Sequence, residues 1–165
     1  MAVFLSTYVN RVDKKGRVSV PAPFRAVLGA QAQGIVVFRS LQHEALEACS
    51  VEHLELLSDS LEKLPNLTPE MYELIETTIF GGSQFLPFDG EGRVLLPDAM
   101  AQAAGLDGEA AFVGRRKTFQ IWQPQRLTTH ETKSRQAALA HDVSLSKIIA
   151  EALARRGGEG SGGAA

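Results

Sequence analysis

The sequence predicts an α+β fold of two tandem ββαββ units, with a helical hairpin between them and helices after the second. Three observations carry this. The stretch "VDKKGRVSVP" from Val12 to Pro21 returns as "FDGEGRVLLP" from Phe88 to Pro97, keeping Asp, Gly, Arg, Val and Pro in register 76 residues apart. Each stretch lies between alternating apolar and polar runs that turn at a Gly, which is the pattern of half-buried strands. The segments between and after the copies instead repeat apolar residues at helical spacing.

Taken in order, the first strands are "YVNRV" and "QFLPF", the four-residue connections "DKKG" and "DGEG", and the second strands "RVSV" and "RVLL", so each copy is expected to open with a β-hairpin. Pro21 and Pro97 suit helix starts, where a fixed φ helps and a missing N–H costs nothing, and "APFRAVLG" and "DAMAQAAG" then read as short helices closed by Gly. Further strands follow near 35–38 and 45–48, and near 111–113 and 119–122. The spacing of 76 holds without a gap for about 27 residues, through "IVVFR" from Ile35 over "AFVGR" from Ala111. Copies of about 50 residues are too small to bury a good core alone. The first copy spans 5–50 and the second 82–125.

Between them, 51–81 reads as an acidic helical hairpin. Ser50 is placed to cap a helix with Leu54, Leu57, Leu61 and Leu64 on one face, and Thr68-Pro69 opens a second helix that ends at Gly81 and Gly82. Residues 126–156 form C-terminal helices broken near 142–144, and the Gly-rich 157–165 is expected to be a disordered tail.

Composition narrows the function classes. The chain has 165 residues, 44% hydrophobic and 22% charged, which is ordinary globular usage. No apolar run approaches a membrane span, and the single Cys49 reads as a small buried residue in a reducing compartment, so a cytoplasmic protein is expected. The net charge of −2 hides a strong division. Residues 1–40 hold Arg11, Lys14, Lys15, Arg17, Arg25 and Arg39 against Asp13 alone, whereas residues 41–80 hold nine acids against Lys63. A polyanion meets the basic block, not the average.

The repeated turn has a mechanical and a chemical reading. Asp13 and Asp89 can accept hydrogen bonds from turn amides, and Gly16 and Gly92 supply the positive φ that closes each turn. Arg17 and Arg93 then follow the bend, where each guanidinium could fork onto phosphate or a guanine edge, with Lys14 and Lys15 adding sequence-independent attraction and Arg11 just upstream. The bland alternative is that each Arg merely pairs with its own Asp. Gly90 and Glu91 replace the two lysines in the second turn, so the turns are not equivalent; Glu91 could instead face a neighbouring subunit.

Enzyme readings fare poorly. Ser83, His53 and the carboxylates form no recognisable arrangement, and Gly90-Glu91-Gly92 lacks the following Gly of a dinucleotide loop, so neither catalytic residues nor a cofactor are expected. His43, Cys49 and His53 match no zinc spacing, and no metal is expected. Arg115, Arg116 and Lys117 read as a solvated strand connection, and His130 and His141 as solvent-facing helix residues.

The N-terminal "FLSTYVNRVDKKGRVSVPAPFR" and the second "DGEGRVLLP", joined by the acidic hairpin, resemble the MraZ family of bacterial regulators, which are built from two tandem SpoVT-AbrB domains. The likeness covers nearly the whole chain apart from the Gly-rich tail. It implies a swapped-hairpin β-barrel in which each copy completes the other's core, and a homo-oligomeric ring that binds double-stranded DNA at repeated G-rich promoter sites. By the same likeness the protein would repress the division and cell-wall gene cluster and associate with the nucleoid. Asp13 and Arg17 match the first signature of the family and Asp89 and Arg93 the second, with Lys14 and Lys15 inside the first loop; Gly90-Glu91 departs from equal use of both loops. Two other classes remain open: a structural or protein-interaction ring, and an antitoxin-like AbrB module.

Overall fold

The computed structural model of the chain describes residues 3–159. In chain order the elements are β1 (Thr7–Arg11), β2 (Arg17–Ser19), α1 (Ala22–Leu28), β3 (Gly34–Arg39), β4 (Leu46–Cys49), α2 (Val51–Leu61), α3 (Pro69–Ile75), a π-helical turn (Glu76–Phe80), β5 (Gln84–Pro87), β6 (Arg93–Leu95), α4 (Asp98–Ala103), β7 (Glu109–Arg115), β8 (Thr118–Trp122), α5 (Pro124–Ala140) and α6 (Leu145–Glu159). They fall into two compact units, Met1–Leu127 and Thr128–Ala165.

The first unit is a mixed α+β structure whose strands pair across the copies. Val12 and Val18 meet in one antiparallel bridge beside the turn in which the Asp13 amide donates to the Arg17 carbonyl at 3.0 Å, as the Asp89 amide does to that of Arg93 at 2.9 Å; β1 and β2 then part, so the expected hairpins form at their tips without a continuing ladder. β1 instead runs antiparallel to β7, β5 runs antiparallel to β3, and β2 pairs with β6. The larger sheet has the order β1-β7-β8-β4-β3-β5, which reads the same when the copies are exchanged. It stays open. β1 and β5 are its edges, while β2 and β6 satisfy each other in a separate two-stranded ribbon, so the closed barrel expected from the family likeness is absent. Between β1 and β2 a side chain takes the place of a continuing ladder, Asn10 Nδ2 donating to the Ser19 carbonyl at 2.7 Å.

The ungapped spacing also fails by one residue. Arg11 and Pro87 are 76 apart, but their ladder partners Glu109 and Gly34 are 75 apart. The buried faces agree: Ile35 and Val37 take the places of Ala110 and Phe112 in the core. A shift of one residue turns a strand's side chains to the opposite face, so burial, not sequence identity, sets the true alignment.

One core serves both copies. Val18, Val20 and Phe24 from the first pack in one cluster with Val94, Leu96 and Met100 from the second and with the inner faces of β3, β4, β7 and β8. Phe24 of α1 stands in an aromatic group, its ring centroid 5.3 Å from Phe4, 5.0 Å from Phe119 and 5.5 Å from Tyr8.

Side chains also set the helix ends. Ser50 Oγ accepts from the His53 amide at 3.0 Å and Thr68 Oγ1 from the Met71 amide at 3.2 Å, capping α2 and α3. Tyr72 Oη donates to the Leu61 carbonyl at 2.8 Å and holds the two helices together. Beyond α3 the helix widens. The Gly81 amide reaches the Glu76 carbonyl at 2.7 Å, and the Thr78 hydroxyl donates back to the Leu74 carbonyl, which competes with the regular ladder.

In the second unit α5 and α6 are separated at Asp142, which has a φ of 50°. α6 continues through 157–159, the first residues of the stretch read as a tail, and 160–165 lie outside the described residues. Among the described residues no helix is long and apolar enough to cross a membrane.

Phe24→Ala is expected to lower unfolding free energy by about 3–5 kcal/mol in urea titrations, as for other buried aromatics. A loss below about 1 kcal/mol would mean that α1 does not anchor the shared core.

Candidate nucleic-acid interface

The two Asp-Gly-Arg turns have the same internal geometry. In the first, Asp13 Oδ1 accepts from the Lys15 amide at 3.0 Å and the Arg17 amide at 2.9 Å, and Oδ2 accepts from Arg17 Nε at 2.7 Å. In the second, Asp89 Oδ1 accepts from the Glu91 and Arg93 amides, both at 2.9 Å, and Oδ2 from Arg93 Nε at 2.8 Å. Gly16 and Gly92 have φ of 91° and 74°, in the left-handed region that an L side chain resists. Each arginine therefore does pair with its own aspartate, but through Nε. Among the described residues no hydrogen bond or ion pair engages the Nη atoms of either arginine, and the side chains keep 38% and 29% of their exposure.

The ribbon brings the turns side by side. Arg17 lies opposite Leu95 and Arg93 opposite Ser19, while Val18 and Val94 between them are buried. Alternation along each strand then puts Arg17 and Arg93 on the same outer face, with Cα atoms about 8 Å apart from strand rise and spacing. Two further bonds brace the pair: the Val20 amide donates to the Gly92 carbonyl at 3.1 Å and the Leu96 amide to the Gly16 carbonyl at 2.9 Å.

The surroundings of the two turns differ. Lys14 and Lys15 are exposed beside the first. Glu91 comes within 3.5 Å of Arg93 Nε in the second. Sequence reasoning left Arg25 out of the site, yet its guanidinium lies against Gly92: a Cβ there would stand 2.6 Å from Arg25 Cζ. Arg25 Nε donates to the Val20 carbonyl at 3.1 Å, which fixes the group in place. Its membership of the basic N-terminal block was a signal; its reach onto the other copy's turn required the exchanged pairing. Arg11 ends β1 opposite Glu109 and is exposed. The Arg116-Lys117 pair forms the two-residue connection of the β7–β8 hairpin, with Arg116 at φ 70°.

Electrostatics follow from the bonds. The Arg17 amide, donating to Asp13, does most to hold that carboxyl below the ordinary carboxylate range, and the Arg93 amide does the same for Asp89. The Asp89 bond raises the Arg93 guanidinium pKa, helped by the charges of Asp89, Glu91 and, least, Asp13. Elsewhere, burial pushes the Cys49 thiol up to about 11, so it stays protonated. Among the described residues no group of three or more His, Cys, Asp or Glu side chains is placed to hold a metal ion.

A family model described as "MraZ protein, putative antitoxin-like" matches residues 79–146. The chain is 46% identical over 143 residues to "Transcriptional regulator MraZ" of Rickettsia akari (strain Hartford), covering 86% of this chain and 94% of that one. The protein of the same description from Rickettsia canadensis (strain McKiel) is 43% identical over 146 residues, 88% and 97% of the two chains. That from Rickettsia bellii (strain OSU 85-389) is 44% identical over 147 residues, 88% and 96%.

Because Asp13 and Asp89 titrate lower when folded than unfolded, their contribution is complete above the unfolded carboxylate value, near 3.9, and fades as pH falls through the folded values. Carboxyl-carbon NMR titration is expected to give both midpoints below about 3.9. In Arg17→Ala the Asp13 midpoint should rise while that of Asp89 stays put; ordinary midpoints in the unaltered chain would contradict the turn geometry.

Proposed function

Because this chain belongs to the MraZ family, we propose that it is a transcription regulator that grips double-stranded DNA with its two adjacent turns. The observation that supports this best is the pairing of Arg17 and Arg93 on one exposed face of the β2–β6 ribbon, each held at Nε with its Nη atoms unengaged by the described residues. A guanidinium held this way is pre-organised. Its two outer nitrogens are the ones that fork onto guanine O6 and N7, or onto a phosphate, and the tether removes part of the ordering cost of binding.

Charge then divides the labour. Around the first turn Lys14, Lys15 and Arg17 outweigh Asp13, whereas Arg93 and Arg25 are balanced by Asp89 and Glu91 around the second. The first turn supplies most of the salt-sensitive attraction and the second mainly aligns the contact. Arg11 extends the cationic edge from β1. Asp13, Gly16, Asp89 and Gly92 keep the turns in shape.

The finer reading follows the family likeness: the copies relate as AbrB-like swapped hairpins, several chains form a homo-oligomeric ring, and the ring engages repeated G-rich promoter sites of the division and cell-wall gene cluster as a repressor. The protein then works in the cytoplasm at the nucleoid, with no catalytic step. Ring assembly supplies what one turn lacks. Successive weak contacts on one body raise one another's effective concentration, so the spacing of repeats contributes to specificity.

Gel-shift titrations on a promoter duplex and a scrambled duplex at several salt concentrations test this. Arg17→Ala should lose about 10- to 100-fold on the promoter and much less on the scrambled duplex. Lys14→Ala should weaken both alike and reduce the salt slope by about 1. Equal loss on both duplexes for Arg17→Ala would remove the base-reading role, and unchanged binding by an Arg17→Ala/Arg93→Ala double variant would remove the interface.

A further inference from the structure

Among the described residues, α6 carries an exposed apolar stripe. Leu145, Ile148, Ile149 and Leu153 are 76%, 53%, 58% and 61% exposed, and Ala152 lies between them. At the helical repeat these five positions fall within an arc of about 140°. Isolated exposed aliphatics are ordinary on a protein surface, but a continuous stripe along a helix is the mark of a contact.

Two features select a second copy of this chain as the occupant. Leu145, Ile149 and Leu153 recur every four residues, so these three positions of the stripe read the same from either end about Ile149. An antiparallel second α6 would lay Ile149 on Ile149 and Leu145 on Leu153 twice over, the self-complementary contact of a two-fold axis. Charge favours the same direction. Asp142 precedes α6, and Arg155 and Arg156 lie near its end. Antiparallel pairing sets the cationic end of each helix near Asp142 of the other and opposes the helix dipoles, whereas parallel pairing would bring four guanidinium groups together. Lys147 and Glu151 already have partners in their own chain, Asp142 at 3.1 Å and Arg155 at 3.0 Å, on highly exposed side chains.

We infer that α6 pairs antiparallel with α6 of a second copy, centred on Ile149. The inference rests on the assembly part of the proposed function and names one contact within it. A helix of 15 residues spans only about 22 Å, short of the roughly 800 Å² per partner of a self-sufficient interface. The pairing is therefore one of several weak contacts, and the assembly depends on all of them together.

The test uses full-length chains carrying one new cysteine on a Cys49→Ala background, since Cys49 is the sole native cysteine and is buried. Under mild oxidation Ile149→Cys should yield a covalent dimer. Leu145→Cys mixed with Leu153→Cys should cross-link more readily than either variant alone. Separately, Ile149→Glu in the otherwise unaltered chain should lower the light-scattering mass at least about twofold, with circular dichroism unchanged. An Ile149→Cys chain that stays reduced, a Leu145→Cys chain that prefers itself, or an Ile149→Glu chain of undiminished mass overturns the pairing; if the unaltered chain is still oligomeric, the assembly reading survives and the stripe belongs to another partner. An unaltered chain that runs as a monomer overturns assembly and pairing together, and gel shifts on the same samples report DNA binding independently of either.

Discussion

Val18 and Val94 face each other across a ribbon only three residues long per strand, and most of what is distinctive in this molecule depends on that pairing. Each strand comes from a copy too small to bury its own apolar residues. Exchanging strands solves the problem once for both: the ribbon closes over Phe24 and Met100, while β1 and β5 are released to extend the larger sheet on the opposite copy's strands. The shortness of the ribbon also has a chemical effect. Two turns that lie far apart in the chain end up on one surface, with their arginines as diagonal neighbours.

Pairing of each arginine with its own aspartate and presentation of that arginine to a ligand are compatible here. An exposed ion pair contributes little to stability, and the largest influence on each aspartate is a backbone amide, not the guanidinium. The carboxylate mainly organises the loop. In doing so it holds Nε and sets the orientation of a planar group whose outer nitrogens have no partner among the described residues. A lysine at position 17 or 93 could supply the charge but not the planar fork.

The two turns have diverged within this shared frame. Loss of the lysines at Gly90 and Glu91 lowers the local positive charge, and Arg25, arriving from the first copy, partly restores it beside Gly92. Gly92 has to be glycine twice over, for its φ and for the guanidinium packed against it. Gly16 has only backbone and Leu95 nearby. The two copies therefore share the turn mechanics and differ in the charge around each turn.

Much of this was legible in the sequence because it is local chemistry. Asp, Gly and Arg at fixed offsets specify a turn, Ser50 and Thr68 specify caps, Pro21 and Pro97 specify helix starts, and the periodicity of 51–81 specifies helices. Partner choice was not legible in the periodicity of the residues, and only the family likeness implied that each copy completes the other's core. An alternating strand is equally satisfied by a neighbour in its own copy or in the other, so the expected hairpins keep only their tips while the strands pair across the copies, the closed barrel gives way to an open sheet, and the ungapped spacing to a one-residue slip between Ile35 and Ala110. Those outcomes are decided by which arrangement buries Phe24, Phe112, Phe119 and Ile121 together, a condition that involves the whole chain at once. The position of Arg25 follows from the same condition, because a side chain's neighbours from distant sequence exist only after the core has closed.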